Sequence, residues 1–88
     1  MRILVAPTFA RAVKKLPPAQ KTQLDDAVRT IVERPDIGDA KVGDLAGVRV
    51  FKFRMESHLW LLAYSVGEDA ITLLALGSHQ NFYRDLKR

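Results

Sequence analysis

The sequence of 88 residues contains no cysteine and only two histidines, His58 and His79. The absence of cysteine excludes a disulfide-stabilised scaffold and thiol catalysis, and two histidines so far apart do not form a zinc-binding motif. A chain without cysteine is typical of a reducing compartment, so we expect a cytoplasmic protein.

Long hydrophobic runs are also missing. The longest apolar stretch, Leu59–Ala63, is far shorter than the about 20 residues that a membrane-spanning helix needs. The N-terminal apolar run reaches Pro7 before it has the length of a signal-peptide core. These features predict a protein that is neither exported nor embedded in a membrane.

The composition is that of a folded domain with a basic surface. Hydrophobic residues make up 48% and charged residues 27%, which excludes intrinsic disorder, and the length predicts one domain over residues 1–88. Lysine and arginine outnumber the acidic residues by 14 to 10, which gives a net charge of +4. Such a surface suits RNA or an acidic protein segment, although it is equally compatible with simple solvation.

The hydrophobic pattern predicts an α+β fold. An apolar run over Met1–Ala6 predicts an N-terminal strand. Two amphipathic helices follow: the first is expected to be capped by Thr8 and ended by Pro17, and the second ends before Pro35. We expect an antiparallel helical hairpin that covers one face of a sheet. A loop with a strand near Val42 should follow it.

The second half of the chain predicts a three-stranded antiparallel meander. From Val48 the period of the pattern is two, typical of a strand with one core face and one cationic face. Glu56–His58 is expected to turn the chain into a central strand, Leu59–Val66. Ala70–Leu76 is expected to form the third strand. The tail from His79 favours a short C-terminal helix.

Lys52 and Arg54 are candidates for binding phosphate. They lie on the same strand face at about 6 to 7 Å along the strand. The planar guanidinium of Arg54 is suited to stabilising a phosphorane, and Lys52 to holding the nucleic-acid backbone. An ordinary solvated strand face is the alternative.

His79 and Tyr83 are candidates for proton transfer and base contact. An imidazole that titrates near neutral pH is the usual general acid or base. Tyr83 would lie on the same side as His79 if the tail is helical, where it could stack on a base or anchor the tail to the sheet. A surface histidine is the alternative for His79.

Other chemistries lack their motifs. No acid is placed to orient His79 beside Ser78, and no glycine-rich loop is followed by a lysine and a helix. What remains is metal-free acid–base chemistry on a phosphodiester. RNA suits such a site because its own 2′-OH is the nucleophile.

Four segments carry a resemblance to a known family: Thr8–Leu16, Gly43–Phe53, Leu61–Tyr64 and Leu76–Lys87. On these segments, over nearly its whole length, the chain resembles the toxins of the RelE/ParE superfamily from bacterial type II toxin-antitoxin systems. The resemblance implies a RelE-like fold, an antitoxin encoded beside the toxin and no cofactor. In the RelE-like branches it also implies cleavage of mRNA in the ribosomal A site.

The resemblance extends to individual residues. A histidine after Gly-Ser, with an aromatic residue four places later, is similar to the YafQ-like nucleases and corresponds to His79 and Tyr83. Lys52 and Arg54 match two basic strand positions of RelE, whereas an arginine that RelE carries on the next strand falls on Leu61.

We therefore expect a metal-independent, ribosome-dependent mRNA endoribonuclease that inhibits translation. Its predicted catalytic residues are His79, Arg54 and Tyr83, and its predicted RNA-binding residues are Lys52, Arg84, Arg49 and Lys87. Two alternatives remain: a ParE-like poison of DNA gyrase without nuclease activity, and a degenerate subunit that only binds an antitoxin. In each case a cognate antitoxin is expected to cover the basic sheet face or the hairpin, by helix or strand addition.

Overall fold

The computed structural model describes residues 2–78, which form an α+β domain with two helices and a five-stranded sheet. The elements in chain order are β1 (Arg2–Val5), α1 (Pro7–Lys14), α2 (Pro18–Glu33), β2 (Asp39–Ala40), a 3-10 turn (Gly43–Leu45), β3 (Arg49–Met55), β4 (His58–Val66) and β5 (Ala70–Ser78). The predicted fold class is confirmed. The predicted C-terminal helix lies outside the described residues.

The sheet has the order β1-β5-β4-β3-β2. Strands β3, β4 and β5 form the predicted antiparallel meander, and β2 extends it with an antiparallel pairing. Strand β1 pairs in parallel with β5, an arrangement that the long intervening chain from α1 to β4 permits. Strand β4 is central, which accounts for its apolar residues on both faces.

Both helices begin at a proline, which corrects the predicted start of the first. Helix α1 has Ala6 as its N-cap and Pro7 in its first turn, so Thr8 lies inside the helix, where its hydroxyl accepts a bond from Arg11 at 3.4 Å. Proline suits the first turn because the N–H that it lacks has no partner in a helix there. No helix within residues 2–78 has the length and hydrophobicity to cross a membrane.

Two other predicted boundaries were wrong. The strand before β3 is Asp39–Ala40 rather than a strand near Val42, whose side chain is 86% exposed, because it is residues 39 and 40 that pair with the start of β3. The turn between β3 and β4 contains only Glu56 and Ser57, with φ angles of 53° and 69°, so His58 is the first residue of β4. A two-residue turn of this geometry matches the twist of a hairpin.

The core lies on both faces of the sheet. The larger cluster lies between the helices and the sheet, and its buried members include Phe9, Leu24, Ile31, Met55, Leu62, Tyr64 and Ile71. A smaller cluster on the opposite face consists of Val50, Leu61, Ala63 and Ala75, each at most 4% exposed. The sheet face that points away from the helices is therefore buried at its centre, and the cationic side chains lie at its margin.

Candidate functional site

Lys52 and Arg54 are exposed on the β3 face that points away from the helices. The alternation of β3 directs Phe51, Phe53 and Met55 to the helix-covered core and the even-numbered residues to the opposite face. Lys52 lies opposite Leu61 on β4, and Leu61 lies opposite Gly77 on β5. Since Leu61 is fully buried, the centre of this cross-strand row is apolar.

Arg54 is held by the hairpin turn that follows it. Its Nη1 donates a hydrogen bond of 3.2 Å to the carbonyl of Ser57, and the turn is itself fixed by Gln23 of α2, whose side-chain oxygen accepts the N–H of Glu56 at 3.0 Å. Glu56 and Ser57 both adopt left-handed backbone conformations that non-glycine residues rarely occupy. A guanidinium has five N–H donors, so this bond does not exhaust its capacity to bind a phosphate oxygen.

Arg49 lies on the other face of β3, with the core. It is opposite Tyr64, and its Nη1 donates to the carbonyls of Asp36 at 3.2 Å and Gly38 at 2.8 Å. The structure therefore brings Lys52 and Arg54 together and separates Arg49 from them. The guanidinium of Arg49 anchors the loop before β2, and its role as an RNA contact stays a prediction.

Tyr64 fastens the same loop from inside the core. Its hydroxyl donates to the carbonyl of Pro35 at 2.7 Å and accepts the N–H of Gly38 at 2.9 Å. Burial raises the pKa of Tyr64 above its ordinary value of 10.0. A Cβ on Gly38 would lie 2.7 Å from this hydroxyl oxygen, so the position requires glycine for close approach. Nothing in the sequence pattern identified this contact, because Tyr64 lies in an apolar run.

A groove runs between α2 and β3 beside Arg54. The rings of Phe51 and Phe53 stack with centroids 5.8 Å apart and an interplanar angle of 11°, and both side chains are half-buried. The other lining residues are Gln23, Asp26, Ala27, Thr30 and Arg54. The periodicity of β3 indicated that the two phenylalanines face the core, but it could not indicate that they remain accessible at its edge.

The remaining predicted site residues, His79, Tyr83, Arg84 and Lys87, lie outside the described residues. The last described residue, Ser78, lies opposite Trp60, which lies opposite Phe53. The adjacent row on β4 and β3 is Leu59 with Arg54. Within residues 2–78, no three histidine, aspartate or glutamate side chains are grouped so that they could hold a metal ion.

Comparison with known families identifies the class of protein that this fold belongs to. The family described as the ParE-like toxin of type II bacterial toxin-antitoxin systems matches residues 3–87. The chain therefore belongs to the ParE-like toxins, within the RelE/ParE superfamily. No curated protein sequence matches it.

Solved structures of RelE toxins share the fold. The chain is similar to a mutant of the E. coli toxin RelE in the free state, with a TM-score of 0.73, 16% identity and coverage of 98% of this chain and 88% of that one. It is similar to a chain of the intact E. coli RelBE toxin-antitoxin complex (TM-score 0.70, 18% identity, coverage 88% and 94%). A chain of the Mycobacterium tuberculosis RelBE2 complex gives a TM-score of 0.69 at 21% identity, with coverage of 89% and 96%.

Proposed function

We propose that this toxin, a single domain over residues 1–88, is a cytoplasmic endoribonuclease that cleaves mRNA on the ribosome and inhibits translation. The observation that carries the proposal is the exposed pair Lys52 and Arg54 on one face of β3, close to the row where β5 ends at Ser78. His79 follows Ser78 directly in the sequence.

The proposed reaction is an internal transfer of the phosphodiester. A base removes the proton of the ribose 2′-OH, the O2′–P bond forms, the P–O5′ bond breaks and an acid returns a proton to the 5′ oxygen. His79 serves as the general acid or base. Arg54 neutralises the additional negative charge of the phosphorane, which is greatest in the transition state. Lys52 binds a neighbouring phosphate, and Tyr83 contacts the base or sugar.

The cognate antitoxin is proposed to cover the basic end of the sheet. Strand β2 pairs only with Arg49 and Val50, so within the described residues the outer edge of β3 has no partner strand beyond Val50. This edge carries Lys52 and Arg54, and the groove between α2 and β3, lined by Phe51, Phe53 and also Arg54, opens beside it. An antitoxin segment with acidic residues toward the cations and apolar residues toward the groove would complement both features.

A second candidate function is poisoning of DNA gyrase. The family that matches the chain is described as ParE-like, and the buried Leu61 puts an apolar side chain where RelE carries an arginine. A toxin of this kind needs a binding surface but no proton transfer. Lys52 and Arg54 would then contact the target without stabilising a phosphorane.

One experiment separates the two functions. The chain is induced without its antitoxin, the 5′ ends of cellular mRNA are mapped, and purified gyrase is assayed in parallel with purified chain. New 5′ ends within translated codons and unaffected gyrase are the result expected for the nuclease. Alanine at His79 should then abolish the new ends without changing the thermal unfolding of the chain. Intact mRNA with inhibited gyrase and double-strand DNA breaks would select the second function instead.

A further inference from the structure

The outer edge of β1 is the most apolar exposed feature of the described chain. Ile3, Leu4 and Val5 are 45%, 42% and 52% exposed, although each belongs to a strand of the sheet. Natural proteins usually protect a sheet edge with lysine, proline, a bulge or a covering element. Within residues 2–78, β1 pairs on one side only, and its four residues include a single charged side chain, Arg2.

The hydrogen bonds of β1 to β5 show which of its backbone N–H and C=O groups point toward the open edge. Arg2 donates its N–H to the carbonyl of Asp69 at 2.8 Å, and Ala6 donates its N–H to the carbonyl of Leu73 at 2.9 Å, so the even-numbered residues point their amides toward β5. Because these directions alternate along a strand, the N–H and C=O groups of Ile3 and Val5 point toward the open edge.

We propose that this edge is a dimerisation surface, on which β1 pairs antiparallel with β1 of a second copy of the chain about a two-fold axis at Leu4. In this register Ile3 of one protomer is opposite Val5 of its partner. The outward N–H and C=O groups of these two residues exchange hydrogen bonds, as in any hydrogen-bonded antiparallel pair. Leu4 is opposite Leu4 of the second copy, at the position where cross-strand side chains are closest.

Charge and shape favour a second copy over an acidic partner segment. In this register Arg2, the only charged residue of the strand, lies opposite Ala6 of the second protomer and away from the second protomer's Arg2. An axis at Ile3 would instead place Arg2 opposite Leu4. The surface is self-complementary, as a two-fold interface requires. The helices leave the edge accessible because α1 packs on β5, whereas the partly exposed Ile3 and Val5 lie beyond it.

The dimer does not depend on the proposed function and leaves the basic site accessible. The order β1-β5-β4-β3-β2 separates β1 from β3 by three strand spacings, or about 14 Å. A strand of four residues buries much less than the about 1,200 Å² of a stable interface, so the dimer is weak.

Sedimentation velocity of the purified full chain from about 10 µM to about 1 mM tests the dimer. The wild type should shift from monomer to dimer over this range. Leu4→Lys and Leu4→Glu should each stay monomeric, and an equimolar mixture of the two should form a dimer, because unlike charges then face each other across the axis. The mixture keeps the test valid if one variant is less stable.

Val66→Lys is the matched control. Val66 is also 42% exposed and apolar but lies at the end of β4, away from the edge, so this variant should dimerise like the wild type. In hydrogen exchange, the amides of Ile3 and Val5 should become protected as concentration rises. A wild type that stays monomeric at every concentration, a mixture that stays monomeric, or loss of the dimer in Val66→Lys would each overturn the proposal.

Discussion

The basic strand β3 and the apolar strand β1 lie toward opposite edges of the sheet and differ in character. On one side, β3 carries Lys52 and Arg54 along an edge that β2 covers only at its beginning. At the opposite edge, β1 carries one charge at its first residue, Arg2, followed by three consecutive aliphatic residues. Both edges leave backbone groups without a partner strand within residues 2–78.

The difference indicates which kind of partner each edge selects. An edge with cations is protected from pairing with copies of itself, because like charges directly opposite each other are unfavourable. It instead favours a polyanion or an acidic segment. An edge of aliphatic residues carries no such repulsion and pairs with another apolar strand. The following predictions test this contrast.

The largest effect is expected at the basic edge. Arg54→Ala should lower the rate of mRNA cleavage by about 10²- to 10³-fold, because the phosphorane loses its main charge neutralisation. Arg54→Lys should recover only part of this loss, since lysine lacks the planar fork. The measurement is primer extension on mRNA with programmed ribosomes.

The matched control for Arg54 is Arg29→Ala on α2. Arg29 pairs with Asp26 at 3.0 Å, and both side chains are 68% exposed, so this variant removes an arginine away from the site. Cleavage by Arg29→Ala and by the apolar-edge variant Leu4→Lys should equal that of the wild type. Undiminished cleavage by Arg54→Ala would contradict the proposed site.

The second effect concerns the antitoxin. Reversing both charges with Lys52→Glu and Arg54→Glu should weaken antitoxin binding by about 10- to 100-fold, because the acidic segment would face like charges. Isothermal titration calorimetry measures the affinity. The same variant should dimerise through β1 like the wild type. Equal loss from Leu4→Lys would show that the antitoxin uses β1 instead.

The third effect is on stability at the basic side. Tyr64→Phe should lower the free energy of unfolding by about 2 kcal/mol, because the N–H of Gly38 and the carbonyl of Pro35 lose their common partner. Urea denaturation measures this change. The loop before β2 should loosen, whereas amide protection where β1 meets β5 should be unchanged in native-state exchange. A uniform loss of protection would contradict a local role.

Tyr64 also contributes a pH dependence. Because burial raises its pKa in the folded state, the unfolded chain releases this proton first as pH rises. The contribution of Tyr64 to stability is therefore complete below pH 10.0 and declines as pH rises from there through the raised pKa. Tyr64→Phe should lack this part of the alkaline decline in urea titrations.

The smallest expected effect is that of salt on binding. Salt should weaken binding at the basic edge and strengthen dimerisation at the apolar edge. Raising ionic strength from about 50 mM to about 200 mM should weaken antitoxin and RNA binding, because both rely on cations. Dimerisation should strengthen a few-fold, because the screened repulsion is between two chains of net charge +4. Sedimentation and calorimetry in the same buffers measure both. If salt changed both binding and dimerisation in the same direction, the proposed difference between the two edges would be contradicted.

The sequence alone predicted the class of fold and most of the elements. The alternation of β3 correctly indicated that Lys52 and Arg54 share a face, because side chains of a strand alternate whatever the rest of the chain does. The boundaries at Thr8 and Val42 were wrong. The start of α1 depends on whether Thr8 or Ala6 is the N-cap. The position of β2 depends on which residues pair with β3 in the folded chain.

The candidate site was only partly accessible to such reasoning. The sequence alone did not distinguish the roles of the three basic residues of β3. Arg49 binds a loop on the core side, whereas Lys52 and Arg54 face away from the core. The burial of Leu61 and the hydrogen bonds of the Tyr64 hydroxyl depend on contacts between residues distant in the chain. The predicted roles of His79 and Tyr83 stay predictions.

Local periodicity and composition determined that this chain forms two helices followed by a meander of strands with a basic face, because these properties depend on neighbours within a few residues. Only the tertiary structure decided that β1 pairs with β5 and that β2 covers just the start of β3, since strand order depends on contacts between distant parts of the chain. That order puts the apolar strand at one edge of the sheet and leaves the basic strand open near the other.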